Sequence, residues 1–302
     1  MEMGGKRGMV VLAPGLFVLL WSTGFIGAKF GLPYAEPATF LALRFSMVAL
    51  LLLPIVWVTR SPWPRSWAQA GHIIVSGILV HGVYLGGVFA SIKLGLPAGV
   101  CALIVGMQPI VTAVLIGPFL NHRLQAGQWL GFLIGTVGVI LVITPERVPL
   151  DGGVLGLAFT FLAVLGISVG TLYQKRFCEE MDLCSGSFLQ FTASALLMLV
   201  LSLLFEEQYV IWSSQFVAVL VWLVIALSLG AVTLLWLLIR YGVAERVASL
   251  FFLVPPVTAV MAWLMLQETM QVRAIFGMML AAFGVLAVNR TKQLSKDVRQ
   301  GL

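Results

Sequence analysis

Ten apolar runs, each about long enough to cross a lipid bilayer, dominate the sequence. A membrane-spanning helix needs roughly 20 predominantly apolar residues, and short segments rich in Gly, Pro and charge separate these runs. Only 10% of the residues are charged and 60% are hydrophobic, whereas about 25% of an ordinary soluble domain is charged. We therefore predict an all-α polytopic membrane protein with ten transmembrane helices. The predicted spans are residues 9–29, 36–58, 68–92, 97–119, 124–144, 152–174, 184–204, 215–239, 246–266 and 270–289.

The basic residues predict how the spans are oriented. An even number of spans places both termini on one side, and Lys and Arg are enriched in cytoplasmic loops. With the termini in the cytoplasm, thirteen Lys and Arg residues fall inside, Arg44 lies within a span, and four fall outside, namely Lys29, Lys93, Arg147 and Arg273. Because the basic residues are scattered singly between apolar runs, they indicate orientation in a lipid bilayer and no nucleic-acid partner.

The sequence also repeats itself at an offset of 146 residues. A unit of five spans crosses the membrane an odd number of times, so a second copy has to be inserted upside down, as in alternating-access transporters. We predict two inverted five-helix repeats, residues 1–146 and 147–302. The matches that fix the register are "LRF" at 43–45 with "LQF" at 189–191, "PIVTAV" at 109–114 with "PPVTAV" at 255–260, and Gly131 with Gly277.

Four segments carry a resemblance to a known family: "LLWSTGFIGAKFGL" (19–32), "ATFLALRFSMVALLLLP" (38–54), "GMQPIVTAVL" (106–115) and "LVPPVTAVMAWLMLQETM" (253–270). With the ten spans, they resemble the drug/metabolite transporter superfamily in its EamA-type branch. The resemblance covers essentially the whole chain. It implies a bacterial inner-membrane exporter of small metabolites, and the chain is similar to the branch that exports amino acids, including aromatic ones. A drug or other metabolite exporter of the same fold is the alternative.

One segment departs from that family's pattern. The first half of these proteins often ends its fourth helix in a "gE" pair, whereas this chain has "NHR" at 121–123. Glu268 keeps the carboxylate in the second half only. A role for the first-half carboxylate is therefore not expected here.

Prolines interrupt the predicted fourth and ninth spans near their middles, at Pro109 and at Pro255 and Pro256. A proline inside a helix removes the hydrogen bond to the carbonyl four residues earlier, and within lipid that carbonyl must find another partner. We expect the freed carbonyls to line a polar cavity and the kinks to act as hinges. A structural kink satisfied by neighbouring helices is the alternative.

Polar and aromatic side chains within the spans predict the substrate-binding site. His81 lies near the centre of the third span, where a histidine facing lipid would be costly. All twelve acidic residues lie in loops, tails or helix ends, which leaves His81 as the mid-span group able to titrate. This distribution favours a neutral or carboxylate-bearing solute over an organic cation. The other candidate substrate-binding residues are Tyr84, Gln108, Trp21, Tyr173, Trp236 and Ser249.

These candidates have structural alternatives. A tryptophan can belong to the interfacial aromatic belt, and a serine can bond a carbonyl of its own helix. Arg44 lies about eight residues, or roughly 12 Å, from the outer end of the second span, close enough for its guanidinium to snorkel outward. Its repeat mate is Gln190. We expect Arg44 and Gln190 to be gating or structural residues, with Arg44 bonding loop or helix-end groups or tuning the outer gate.

Glycines in the fifth and tenth spans predict a close-packed scaffold. Gly127, Gly131 and Gly135 are spaced four apart, the small-xxx-small pattern that lets two helices approach closely, and Gly277 and Ala281 repeat it. A dimer seam is the alternative reading of this pattern. We therefore expect a monomer, with a homodimer as the alternative.

Other functional classes lack sequence support. No catalytic motif or metal-ligand spacing occurs, and the three cysteines are read as plain thiols, so we expect no enzyme, no metal and no cofactor. The basic, apolar N-terminus is long enough to span and lacks a small-residue cleavage site, so it is read as the first span rather than a signal peptide. A channel would more often show a ring of like charges. We predict a carrier in the bacterial inner membrane with small-molecule and lipid partners.

Overall fold

The computed structural model describes residues 2–96, 101, 104–120, 124–142, 153–241, 244–266 and 272–300. This part of the chain is helical and contains no strand beyond one isolated bridge between Ala35 and Val210. The predicted all-helical architecture is thus confirmed for the described residues. The helices are α1 Glu2–Gly31, α2 Pro37–Val58, α3 Trp67–Lys93, α4 Gln108–Leu120, α5 Ala126–Val142, α6 Gly153–Phe177, α7 Leu183–Phe205, α8 Ser214–Tyr241, α9 Ala244–Leu266 and α10 Val272–Gln300.

Among the described residues, six helices are long and apolar enough to cross a membrane. They are Leu12–Gly31, Pro37–Val58, Trp67–Lys93, Val154–Phe177, Leu183–Phe205 and Ser214–Arg240. Four shorter apolar helices accompany them, Gln108–Gly117, Ala126–Leu141, Val247–Thr258 and Ile275–Val288. Each of these segments overlaps one of the predicted spans.

Large apolar side chains cover the outside of the helices. Leu50 and Leu53 of α2 and Leu203 of α7 are exposed, as expected of surfaces that face lipid rather than water. The exposed tryptophans Trp57 and Trp67 lie at the end of α2 and the start of α3, where amphipathic rings sit at the membrane–water interface.

Helices from the first half pack mainly on helices from the second half. α2 lies against α7, α3 against α6, α1 against α8, and α5 against α10. The last pair approaches closely at several positions: a methyl group added at Gly131 would lie 3.0 Å from the carbonyl oxygen of Gly284, and one at Gly138 would lie 2.6 Å from that of Gly277. The glycine-rich helices therefore form a seam within one chain, with no room for side chains between the backbones.

Three of the helices depart from regular α-geometry, and a fourth follows a turn. α3 is π-helical over Ile78–Val83, and α8 is π-helical over Leu223–Ala231. α9 tightens to a 3₁₀ turn over Phe251–Leu253. Ahead of α4, Gly106 and Met107 form a turn. Single π-helical turns are rare and frequently mark functional sites, so these departures draw attention to the middle of the molecule.

The prolines predicted to kink the fourth and ninth spans, Pro109, Pro255 and Pro256, lie in the first turn of a helical segment, whereas Pro14 and Pro54 lie inside α1 and α2. Pro109 is the second residue of α4, and Pro255 is the second residue of the α-helical segment Val254–Leu266. A proline fits the first turn of a helix, where its missing N–H costs no hydrogen bond. The structure therefore resolves the predicted mid-helix kinks as breaks, each followed by a fresh helix that begins just before the proline.

Candidate functional site

A cavity lies between α1, α2, α3 and α8, at the end of these helices that the charge bias assigns to the outside. We call it the Arg44 cavity. Its volume is about 20 Å³, which is close to the room that one water molecule needs. Its lining residues are Trp21, Gly24, Phe25, Arg44, His81, Tyr84, Leu85, Val88, Phe89, Leu227 and Val232.

Arg44 does not snorkel. Only 1% of its surface is exposed, and its Nε donates a hydrogen bond of 2.9 Å to Ser228 Oγ, within the π-helical turn of α8. Its Nη1 has no hydrogen-bond partner among the described residues. The predicted partners in a loop or at a helix end are therefore replaced by a partner in the middle of α8, because α2 is packed deep enough to turn Arg44 inward.

His81 lies on the π-helical turn of α3 and is also 1% exposed. Its ring stacks on Phe191 of α7 with centroids 4.3 Å apart, and Phe45 lies 6.0 Å away. The Nε2 atom of His81 is without a hydrogen-bond partner in the described structure. Two unpaired nitrogen atoms, on Arg44 and His81, thus belong to side chains that line one cavity.

Aromatic rings form one wall of the Arg44 cavity. Trp21 and Tyr84 stack with centroids 6.0 Å apart and an interplanar angle of 11°, and the Trp21 indole Nε1 donates to the Tyr84 hydroxyl at 3.3 Å. Phe251 of α9 packs edge-on against Trp21 at 5.6 Å. Trp21 lines the Arg44 cavity and Phe251 lines a second cavity. The Trp21–Phe251 contact therefore lies between the two cavities.

The second cavity, which we call the Gln108 cavity, lies between α4, α6, α8 and α9. Its volume is about 10 Å³. Gln108 is buried and donates from Nε2 to Thr112 Oγ1 at 3.0 Å, while its Oε1 has no partner in the described part of the chain. Lys175 also lines this cavity and donates to Glu179 at 3.1 Å and to the Arg240 carbonyl at 3.0 Å.

Two serines bond the helix breaks across the halves. Ser22 of α1 donates to the Val254 carbonyl at 3.2 Å, and Ser168 of α6 donates to the Gln108 carbonyl at 3.5 Å. Each acceptor immediately precedes a proline. The donors are 146 residues apart in sequence, and so are the acceptors. The Ser22 hydroxyl also lies 2.7 Å from the Val18 carbonyl of its own helix, so its single proton is shared between an acceptor in α1 and the break in the other half.

Gln190, the repeat mate of Arg44, meets a different helix. It is 2% exposed, and its Nε2 donates to Ser76 Oγ of α3 at 2.7 Å. Ser76 lies two residues before the π-helical turn that carries His81. Gln190 is thus satisfied by a neutral hydroxyl, whereas Arg44 keeps an unpaired nitrogen.

The remaining predicted site residues lie elsewhere. The Tyr173 hydroxyl bonds His72 Nδ1 at 2.6 Å near the end of α6, and Trp236 is buried beside Ile73 with the Arg240 guanidinium 4.8 Å from its ring centroid. Ser249 is fully buried in α9, next to Ala248, which lines the Gln108 cavity. Glu268 and the 121–123 segment fall outside the described residues.

A carboxylate from the second half caps α2. Glu206, at the end of α7, accepts hydrogen bonds from the backbone N–H groups of Ala38 at 2.7 Å and Thr39 at 2.8 Å. Glu36 supplies no side-chain cap to its own helix, and instead its carboxylate accepts from the Gln208 backbone at 3.0 Å. These bonds tie the start of α2 to the end of α7 next to the Arg44 cavity.

Ser22, Phe251 and Glu206 were not among the residues predicted from sequence. Ser22 could have been found, because the 146-residue offset pairs it with Ser168, which stands out as a mid-span serine. Phe251 and Glu206 carry no such signal. Their roles depend on which helices pack together, and an apolar sequence does not predict those contacts.

Comparison with known proteins defines the class. The family description "EamA-like transporter family" matches residues 9–144 and again residues 154–290. The chain therefore belongs to the EamA-like transporter family, a family of multi-pass membrane transporters.

Similar proteins cover nearly the whole chain. The "Uncharacterized transporter YvbV" of Bacillus subtilis is 26% identical over 94% of this chain and 93% of its own length. A "Probable amino-acid metabolite efflux pump" of Salmonella typhimurium is 26% identical over 97% of this chain and 100% of its own length. A solved structure described as "Crystal structure of protein" has a TM-score of 0.75 at 18% identity, over 92% of this chain and 96% of that one. That likeness supports the fold.

Proposed function

We propose that the chain is a secondary-type exporter of small metabolites, foremost amino acids with aromatic or other apolar side chains. It works by alternating access of two inverted five-helix repeats, residues 1–146 and 147–302, in the bacterial inner membrane with both termini in the cytoplasm. The observation that carries the proposal is the Arg44 cavity, a buried polar site enclosed by helices from both halves. The amino-acid substrate draws support from the relative described as a probable amino-acid metabolite efflux pump.

The paired hydrogen bonds at the helix breaks support the two-repeat arrangement. Ser22 with the Val254 carbonyl and Ser168 with the Gln108 carbonyl are the same interaction made once in each direction. Broken helices near the middle of a membrane, in corresponding positions of two halves, are typical of substrate sites in secondary transporters. The family description matching once in each half supports the same division.

The two cavities support alternating access. The Arg44 cavity lies toward the end of the helices assigned to the outside, and the Gln108 cavity lies toward the cytoplasmic end. The Trp21–Phe251 contact stands between them. In the proposed cycle, solute enters through the Gln108 cavity, this contact opens, and the Glu206 bonds to α2 release to let the solute leave.

The lining residues of both cavities include no acidic side chain in the described structure. A proton relay through a buried carboxylate is thus unsupported, and the proposal is downhill or exchange transport.

The test is uptake of a panel of labelled amino acids into proteoliposomes, with and without a pH gradient. The proposal expects saturable uptake of apolar and aromatic members that a pH gradient leaves unchanged. Absence of uptake for every member contradicts the amino-acid substrate, and drug substrates are then tested in the same vesicles. Measurable single-channel currents would contradict a carrier in favour of a channel-like pore.

A further inference from the structure

The starting observation is an unbalanced charge in the Arg44 cavity. An arginine side chain stays protonated in proteins, and Arg44 is 1% exposed. Ser228, its acceptor, is neutral. Burying a charge without a counter-charge is costly, and the Nη1 atom has no hydrogen-bond partner among the described residues. The site therefore lacks an anion that Arg44 would bind.

That anion is not a lining side chain. The lining residues of the cavity include no carboxylate in the described structure. The nearest acids in the sequence of α2 and its capping partners are Glu36 and Glu206. Glu206 accepts from backbone N–H groups at the start of α2, and Glu36 accepts from the backbone N–H of Gln208. Beyond the side chains that the structure describes, a ligand is the source of negative charge that we consider.

The geometry fixes how a ligand would be held. The bond from Arg44 Nε to Ser228 immobilises the guanidinium, and stacking on Phe191 immobilises the His81 ring. A carboxylate oxygen can accept from Arg44 Nη1, and the second oxygen can accept from His81 Nε2 in the tautomer that carries its proton there. Charge-assisted bonds of this kind are the stronger class of hydrogen bond.

The other lining residues of the Arg44 cavity determine which uncharged group the ligand can carry. Phe25, Leu85, Val88, Phe89 and Leu227 present apolar surface, which suits an aliphatic or aromatic group. One cation in such a wall balances one negative charge, so a doubly charged phosphate is disfavoured. No lining group offers an anionic partner to an ammonium group, so an ammonium on the ligand gains no ion pair.

We infer that the Arg44 cavity is a binding site for small apolar monocarboxylates, anchored by Arg44 and His81, for which an amino group is not required. The inference rests on the proposed function, because it assigns the ligand class of the same cavity. It reaches further than amino-acid export, since it includes carboxylates without an amine and excludes amines without a carboxylate.

The experiment measures binding of four matched probes to the purified full-length protein by titration calorimetry. L-leucine carries both charged groups, isocaproate keeps only the carboxylate, isoamylamine keeps only the amine, and L-leucinamide replaces the carboxylate with an amide. We expect leucine and isocaproate to bind, and the two probes without a carboxylate to bind roughly 30-fold more weakly or worse, the loss typical of removing one partner of a buried charge pair. Equal binding of isocaproate and isoamylamine overturns the inference, as does binding of none.

Variants assign the effect to Arg44. Arg44→Gln is expected to remove the preference for isocaproate over isoamylamine, whereas the exposed control Arg65→Gln is expected to keep it. Should Arg44→Gln fail to fold, Arg44→Lys retains a cation and is expected to keep the preference at lower affinity. A preference that survives in folded Arg44→Gln overturns the inference.

Uptake of the same labelled probes separates the two proposals. Flux of isocaproate and isoamylamine at equal rates overturns the carboxylate site and leaves the transporter intact. Carboxylate-selective binding without any flux overturns the proposed function and leaves the site intact.

Discussion

The two halves of the chain share their framework but differ in their polar chemistry. At positions 146 residues apart, Ser22 and Ser168 make equivalent bonds to helix breaks, and Gly138 and Gly284 make equivalent close approaches. The π-helical turns of α3 and α8 also coincide at this offset. These features concern packing and backbone satisfaction, which both halves need equally.

The polar groups of the cavity follow no such pairing. Arg44 corresponds to Gln190 and His81 to Leu227. Gln190 is satisfied by Ser76, and Leu227 contributes only apolar surface to the Arg44 cavity. The two halves thus share their packing, whereas the polar lining groups of the Arg44 cavity come from the first half.

The seam between α5 and α10 gives the largest effect. A methyl group at Gly138 or at Gly284 would overlap backbone atoms of the facing helix. We expect Gly138→Ala and Gly284→Ala each to lower the free energy of unfolding by about 1–3 kcal/mol, measured by denaturant titration in detergent. The control is Gly71→Ala, where the added methyl meets nothing within 4 Å. A large effect at one glycine and none at the other would contradict the shared framework.

The pair His81 and Leu227 tests the polar groups that the two halves do not share. The variant His81→Leu gives the first half the residue that the second half has at the corresponding position. Because a buried unpaired nitrogen is lost, we expect the free energy of unfolding to rise by about 1 kcal/mol, while carboxylate uptake falls roughly tenfold for the loss of one hydrogen bond to a charged ligand. Unfolding and proteoliposome flux are measured on the same preparation. Unchanged flux with normal folding removes His81 from the site.

The starts of α2 and α7 provide the next contrast. Glu206 caps α2 from the other half, whereas α7 is capped by its own Asp182, which accepts from Cys184 at 2.9 Å and Ser185 at 3.0 Å. We expect Glu206→Gln to weaken closure at the outer end by about 1 kcal/mol, a roughly fivefold increase in the open population. The exposed Arg60, the repeat mate of Glu206, provides the control Arg60→Gln.

Thiol labelling measures that population. A cysteine at Val88, introduced after replacing Cys101, Cys178 and Cys184 with alanine, reports access to the Arg44 cavity. Its reaction with a membrane-impermeant maleimide added outside is expected to quicken in Glu206→Gln and to stay unchanged in Arg60→Gln. Equal rates in both variants contradict a role for Glu206 in closing the outer end.

The serine bonds at the breaks give the smallest effect. Ser22→Ala and Ser168→Ala each remove one neutral hydrogen bond, worth about 1 kcal/mol. The Ser22 hydroxyl lies 3.2 Å from the break carbonyl and 2.7 Å from the Val18 carbonyl, whereas the Ser168 hydroxyl lies 3.5 Å from its break carbonyl. We therefore expect the larger loss in Ser22→Ala. Denaturant titration of both variants tests this, and Thr136→Ala, which removes a hydroxyl that donates to the Phe132 carbonyl of its own helix, is the control. An effect in only one of the two break variants would contradict their equivalence.

Much of the framework could be predicted from the sequence. Apolar runs and charge bias locate the helices, and the 146-residue offset pairs the prolines and the seam glycines, because these features depend on local composition. The depth of Arg44 could not be predicted in the same way. An arginine within an apolar run fits both a snorkelling and a buried side chain. Only the contact between α2 and α8 decides between the two. Trp236 and Tyr173 were grouped with the site for their span positions, yet each faces a different cluster.

The measurement that tests the central claim most directly is counterflow of labelled L-leucine in proteoliposomes preloaded with unlabelled isocaproate. The claim is that a carrier with its carboxylate anchor in one half exchanges monocarboxylates across a symmetric framework. The account predicts transient accumulation of label above equilibrium for the wild-type protein, and none for folded Arg44→Gln. Equal counterflow in the two proteins, or label that only equilibrates in both, would contradict it.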